Sequence, residues 1–514
     1  MKRLIQYIIG IACWAHVTPT LAQKRSLLDS LHYRTELQAT VATGDHSPLW
    51  LNANRHGMSS LKTANGFVRA ALCRPLALDD RRRWGIGYGA DVAVAAGFTS
   101  TLVVQQAYVE GRWLKGVLTL GAKEQAMELK NPELSSGSQT LGINARPVPQ
   151  VRLALPDYWT IPHTRGWLAL KGHIAYGRTT DDGWQKDFVG PTARFTEGTL
   201  LHTKAGYLKI GPKRVTLELG LEMAAQFGGK SHYAKDSDGR RDVIDNEGGL
   251  KALWHAFVPG GSGADESGSN YQNADGNQLG SWVMRLNIDQ PAWNLGLYAD
   301  HYFEDHSSMF MLDYNGYGEG AEWNQKKQSR FFLYDLKDIM LGAELRLKQV
   351  GWLSNVVVEY LYTKYQSGPV YHDRSPHISN HLGGQDDYYN HHLFTGWQHW
   401  GQVMGNPLYR SPLYNADGNI RVTNNRFVAW HLGISGQPAR PLHYRLLATW
   451  QSALGTYAEP LPERQHNLSL LAEASWRFPL GWQVRGAIAL DRGRLLGDNF
   501  GVQVSIVKSG ILAK

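Results

Sequence analysis

Residues 214–225 read Arg-Val-Thr-Leu-Glu-Leu-Gly-Leu-Glu-Met-Ala-Ala. Every odd position from Val215 to Ala225 is apolar, while Arg214, Thr216, Glu218 and Glu222 are polar or charged. Successive side chains of a strand point to opposite faces, so one face here is apolar and the other carries charge. About 9–11 residues of tilted strand cross a bilayer, and this run is long enough. The alternation returns in Trp84–Val94, Trp282–Ile288, Trp293–Ala299, Val356–Tyr362, Val428–Ile434, Leu442–Gln451, Asn467–Phe478, Trp482–Asp491 and Phe500–Ile506. Weaker versions lie near 33–42, 64–74, 102–113, 116–123, 166–177, 200–210 and 338–348. The recurrence predicts an all-β fold: a transmembrane antiparallel β-barrel of about 18 strands (16–18), with long extracellular loops and a crowded polar lumen.

A helical membrane protein is excluded on the same residues. Past the N-terminus no run of 18 apolar residues occurs. The mean hydropathy of −0.36 suits a barrel, because each crossing strand is only half apolar. The chain opens Met1-Lys2-Arg3, continues apolar from Leu4 to Val17 and reaches Thr20-Leu21-Ala22. That order of basic, apolar and small residues predicts a signal peptide over 1–22, leaving 23–514 as a single barrel domain in the outer membrane. A soluble sandwich is disfavoured by Arg445, Glu473, Arg477, Arg485 and Asp491, which recur on the inward face and would be costly in a dry core.

Connections alternate in length. Gly211-Pro212-Lys213, Asp289-Gln290-Pro291 and Pro479-Leu480-Gly481 are short; 228–280, 304–329 and 365–425 are long and polar. Short periplasmic turns and long outer loops are the expected asymmetry. The inward face supplies a lumen network of mixed sign, Arg214, Glu218, Glu222, Asp300, Glu359, Arg445, Glu473 and Arg485, which suggests cross-lumen pairing and a partly filled interior rather than a wide pore. With 53 Lys and Arg against 45 Asp and Glu the chain is +8, and removal of Lys2 and Arg3 leaves +6. This weakly favours anionic partners, lipopolysaccharide among them. The chain holds 18 Trp and 24 Tyr, enough for interfacial girdles or for sugar-stacking platforms. Only Cys13 and Cys73 occur, so no internal disulfide survives signal removal.

Four blocks between the strands are similar to one family. They are Gly383-Gly384-Gln385-Asp386-Asp387-Tyr388-Tyr389-Asn390 with Gly396-Trp397 and Gly405-Asn406-Pro407-Leu408; Glu359-Tyr360-Leu361 with Thr363-Lys364 and Gln366-Ser367-Gly368-Pro369; Asn144-Ala145-Arg146-Pro147-Val148-Pro149-Gln150 after Gly121-Ala122-Lys123-Glu124-Gln125; and Tyr298-Ala299-Asp300-His301-Tyr302-Phe303-Glu304-Asp305. In this order they resemble the Wzi-type capsule-assembly outer-membrane proteins of Bacteroides-like bacteria. The resemblance implies a barrel of about eighteen strands and a lectin-like role holding capsular or related surface polysaccharide. Enterobacterial members carry a helical region closing the periplasmic end. Here only about ten residues, Gln23 to Leu31, precede the first strand, so a plug would have to come from elsewhere, such as 43–63, or be absent. The end, Ser509 to Lys514, trails beyond Ile506 without a terminal aromatic.

A polysaccharide site needs aromatic faces and forked polar groups. The candidates are Asp386, Asp387, Tyr388, Tyr389, Asn390, Trp397, His399, Trp400, Asn406 and Arg410, joined by Arg146 on its own turn. The competing reading folds these aromatics back into the lumen and pairs Arg146 with Glu359 or Asp300. Asp236-Ser237-Asp238-Gly239, Asn273-Ala274-Asp275-Gly276-Asn277 and Asn415-Ala416-Asp417-Gly418-Asn419 resemble calcium loops but lack the downstream bidentate Glu, so turn chemistry explains them and no metal or cofactor is expected. A hydrolase built on His301, Asp305 and Ser307, or on His391-His392, has no nucleophile motif. The favoured function is a monomeric, non-catalytic polysaccharide-binding barrel, without nucleic-acid partners; a porin-like channel for sugars or anions comes second and an outer-membrane hydrolase last.

Overall fold

The computed structural model describes residues 30–80, 82–258, 276–304, 338–366 and 386–512, with a few short pieces between them; the expected signal peptide lies outside these. The spanning strands are β1 His32–Thr43, β2 Ala64–Arg74, β3 Trp84–Ala96, β4 Leu102–Trp113, β5 Gly116–Ala122, β6 Gln150–Thr160, β7 Leu168–Arg178, β8 Leu200–Ile210, β9 Val215–Phe227, β10 Asn277–Asp289, β11 Trp293–Glu304, β12 Ile339–Leu347, β13 Asn355–Tyr362, β14 Phe427–Ala439, β15 Leu442–Gly455, β16 Pro460–Arg477, β17 Trp482–Gly493 and β18 Asn499–Ile511. All eighteen join one antiparallel sheet. It closes where β18 pairs with β1, from His32 opposite Ile511 to Thr43 opposite Phe500. Closure leaves no sheet edge, the condition for β structure in lipid. Ser509–Ile511 therefore belong to the closing strand instead of trailing beyond it.

The expected alternation sorts the two faces. In β18, Phe500, Val502, Val504 and Ile506 are exposed, while Gln503 and Ser505 face in and are buried. At the short-turn end Trp84, Trp113, Trp167, Trp352, Trp476 and Trp482 are exposed, forming the periplasmic girdle. The helix Leu250–Phe257 covers the outer ends of β8 and β9 from the lipid side. Its Ala256 packs with Ala225 and Phe227, and Leu250 and Trp254 stay exposed.

The strand absent from the sequence reading is β6. Pro156 and a bulge between Leu155 and Trp159 break its period of two. Arg214 is a second correction. It lies in the turn before β9, is exposed, and takes no part in the lumen network; its carbonyl accepts from the Asp289 N–H at the end of neighbouring β10.

The lumen is filled by three segments entering from the long-loop end: 44–63, 123–149 and 386–426. In the first, the short helix Leu49–Asn52 is wholly buried, and Trp50 donates to Thr449 Oγ1 at 3.1 Å. The plug thus includes the 43–63 segment, as anticipated, but two further loops complete it.

Candidate functional site

Inward side chains of the wall hold these segments. Glu359 accepts from Ser135 Oγ at 2.5 Å, the Ser136 N–H at 2.8 Å and Tyr298 Oη at 2.6 Å. Asp300 takes Lys130 Nζ at 2.8 Å and the Gln139 N–H at 3.1 Å. Glu222 takes Ser138 Oγ and Tyr207 Oη. Glu473 binds Arg55 at 2.8 Å and Arg445 at 2.9 Å, with Arg485 at 3.9 Å. Glu218 accepts from Tyr158 and Asn287. The expected network therefore exists without Arg214. Much of it joins wall to plug rather than wall to wall across an open lumen.

Most of the loop residues proposed for sugar contact fold the plug. Tyr388 and Tyr389 are fully buried; both meet Tyr302 edge to face, at centroid distances of 4.6 and 5.6 Å, and Tyr389 stacks on Tyr409 at 4.1 Å. Asn390 closes a two-way bond with Val422, and Asp387 accepts from Asn425. Asn406 donates to the Gly137 carbonyl. Arg410 is spent on Asn415, Thr423 and the Tyr414 carbonyl. Asp386 is half-buried beside them. Trp397 donates to the Thr140 carbonyl at 3.0 Å. The competing reading, aromatics folded inward, holds for these positions.

Arg146 and Trp400 are different. They meet at a cavity of about 360 Å³ among the outer loops, lined also by Lys62, Trp184, Asp187, Phe188 and Gln402. The guanidinium lies 4.3 Å from the Trp400 ring centroid, a cation–π contact, and donates to Thr99 Oγ1 at 3.0 Å. Only 7% of Arg146 is exposed, yet among the described residues it makes no ion pair. The expected partners are already engaged, Asp300 by Lys130 and Glu359 by hydroxyls. Burial pushes the guanidinium down to about 10, which leaves it charged at neutral pH. A desolvated charge without a counter-charge costs several kcal/mol, and an anionic ligand would supply what is missing.

The local fold explains how Trp400 is presented. Gln398–His399 pairs with Gln402–Val403, so Trp400 and Gly401 are the two central residues of a hairpin turn. Both have positive φ, 56° and 78°, the signature of a type I′ turn that ordinarily takes Asn or Gly first. A Trp there is strained, and such strain gathers at binding sites. A Cβ on Gly401 would meet Leu413 and Trp184 at 2.6 Å. Buried His399 pins the hairpin. Its Nδ1 donates to the Arg146 carbonyl at 2.8 Å and its Nε2 accepts from the Thr180 N–H at 3.1 Å. Desolvation lowers its pKa from 6.5 to about 4. Stability from a group depressed in this way is complete above pH 6.5 and is lost as pH falls toward 4, since the opened hairpin binds the proton first. At the acid limit the loss is on the order of 3 kcal/mol. Hairpin amides should accordingly lose protection between pH 7 and 5, after correction for intrinsic exchange; unchanged protection would contradict the role given to His399.

Sequence reasoning missed Trp184 and Phe188, stacked at 5.0 Å on the short helix Trp184–Phe188. Their signal was an aromatic pair inside an otherwise polar connection. Asp236 caps its own turn, accepting from the Asp238 and Arg240 N–H groups, and Asp417 accepts from the Asn419 N–H, so turn chemistry accounts for both segments. Asn273–Asp275 lie outside the described residues. Among the described residues no cluster of metal-binding side chains occurs. His301 sits opposite Trp282 on the outward face, and Asp305 and Ser307 lie outside the described residues.

Residues 35–385 match the model of the capsule assembly protein Wzi family. Among solved structures, Wzi of Escherichia coli superposes with a TM-score of 0.53 at 13% identity, over 94% of this chain and 84% of that one. It is described as a carbohydrate-binding β-barrel outer-membrane protein involved in group 1 capsule assembly. Acinetobacter baumannii OccAB4 gives 0.44 at 9% identity, over 95% and 99%. Pseudomonas aeruginosa OccD3 gives 0.43 at 10%, over 94% and 91%. No curated protein sequence matches. The family match over most of the chain and the closed eighteen-stranded barrel agree: this chain belongs to the Wzi capsule-assembly family of outer-membrane proteins.

Proposed function

We propose that the barrel is a monomeric, non-catalytic anchor that binds capsular or related surface polysaccharide in the cavity between Arg146 and Trp400. The observation that carries this reading is the buried guanidinium of Arg146, held against an aromatic face at the outer loops and without an ion pair among the described residues. Aromatic faces suit sugar rings, and a planar guanidinium suits a carboxylate or phosphate bidentately. A porin-like channel fits poorly with a lumen occupied by three clamped segments.

The test is carried out in cells. Replacing the chromosomal gene by the Trp400→Ala allele should shift capsule from the cell-bound to the shed fraction, with barrel levels in the outer membrane unchanged. Cell-bound capsule equal to wild type would sink the proposal.

A further inference from the structure

Below the outer cavity a second hollow of about 300 Å³ runs between the plug and the inner face of β6, β7 and β8. It extends from Gln150 and Leu201, near the outer ends of their strands, to Tyr207 and Glu128. Arg146 lines both spaces. The hollow's charge is one-sided: Lys123, Arg146 and Arg152, with the imidazoles of His56 and His173, face a single carboxylate, Glu128. Two of these charges are cancelled in place, since Lys123 binds Glu110 at 2.5 Å and Glu128 binds Lys171 at 2.5 Å. The two arginines have no carboxylate in contact, although Glu128 acts on Arg152 at longer range. Neither makes an ion pair among the described residues, and the Arg152 guanidinium makes no hydrogen bond there. The buried Nε2 of His173 also has no hydrogen-bond partner among the described residues. Other buried cations of this lumen are matched by carboxylates, as Arg55 and Arg445 on Glu473, Lys130 on Asp300 and Arg285 on Glu344 show.

We propose that this hollow is a second subsite, taking an acidic residue of a polysaccharide, a hexuronic acid or a phosphate-bearing sugar, with Arg152 and Arg146 holding the acid. The inference rests on the glycan reading of the outer cavity and extends it: the chain held at Trp400 lowers one charged residue inward. The volume lies at the lower end of ligand pockets, room for a sugar-sized group rather than a long chain. Two guanidiniums lining one hollow favour an anion through charge-assisted hydrogen bonds.

The experiment is calorimetry on the full-length protein in detergent, with hexagalacturonate, maltohexaose and inorganic phosphate as probes. The wild type is expected to bind hexagalacturonate at least about tenfold more tightly than maltohexaose. Arg152→Gln should cost about tenfold on the acidic probe and nothing on the neutral one, with Arg152→Lys retaining most of the affinity. Trp400→Ala should weaken both oligosaccharides. An unchanged Arg152→Gln beside a weakened Trp400→Ala overturns the second subsite and leaves the outer cavity standing. The reverse pattern retains the subsite and removes the outer reading. Failure of the wild type to bind hexagalacturonate overturns the proposal, as does phosphate binding as tightly as the hexamer, which would mark a free-anion site. Should Arg152→Gln fail to fold, phenylglyoxal modification of Arg152 in the wild type reads the same contact. Protection by hexagalacturonate supports the subsite, and equal modification with and without it overturns it.

Discussion

Glu359→Ala is expected to turn a nearly silent barrel into a conducting one. The carboxylate is fully buried on β13 and receives three donors, two of them from the 131–146 segment. Its removal strands those donors and opens a void. At about 1–3 kcal/mol for each unsatisfied buried group, the loss is enough to release that part of the plug. The strand ladder is untouched, so the barrel should still run as a folded, heat-modifiable species. In planar bilayers the variant should show conductance steps absent from wild type, and cells carrying it should become more sensitive to bulky antibiotics. Glu359→Gln keeps an acceptor oxygen and should be milder. A silent Glu359→Ala barrel would refute the clamp.

Arg146→Gln should separate binding from stability. The substitution removes the charge and the cation–π contact with Trp400 while leaving a polar group near Thr99. Affinity for an acidic glycan is expected to fall by at least about tenfold, roughly the worth of one charge-assisted contact. Arg146→Lys should recover only part, because an ammonium lacks the planar fork. Stability should move the other way: a desolvated charge without a counter-charge is a cost in the empty protein, and its removal should stabilise by about 1–2 kcal/mol. Calorimetric affinity and thermal unfolding of the same preparation decide the matter. A joint fall of both would make Arg146 a structural residue.

What was legible in the sequence follows from where physics acts locally. Lipid on one side and polar contacts on the other impose a period of two, which is why β9 and β18 could be read directly. In β6 the bulge after Leu155 shifts the register and the signal vanishes, although the strand still completes the ladder between β5 and β7. The plug obeys no period. Residues 131–146 take their order from Glu359, Asp300 and Glu344, far away in sequence, so nothing local announces their path. Tyr388 and Tyr389 show the corresponding limit for the site. An aromatic pair reads identically whether it meets a sugar or Tyr302, and only topology decides. Arg146 was legible as a gripping residue, but its lack of a carboxylate partner among the described residues was not. Arg214 was misassigned because parity carried past the end of its strand into the turn.

The sequence distance of the plug contacts has a consequence for assembly. The Leu49 N–H is received by Asp491, Trp50 by Thr449 and Arg55 by Glu473. A segment made among the first sixty residues therefore docks on β15, β16 and β17, which are among the last strands made. Such contacts form only after a long stretch of chain has been ordered. Locking of the first plug segment and closing of the sheet both wait on the C-terminal third of the barrel. A chain lacking β15, β16 and β17 would leave the 44–63 segment without Thr449, Glu473 and Asp491, and that part of its interior unclamped.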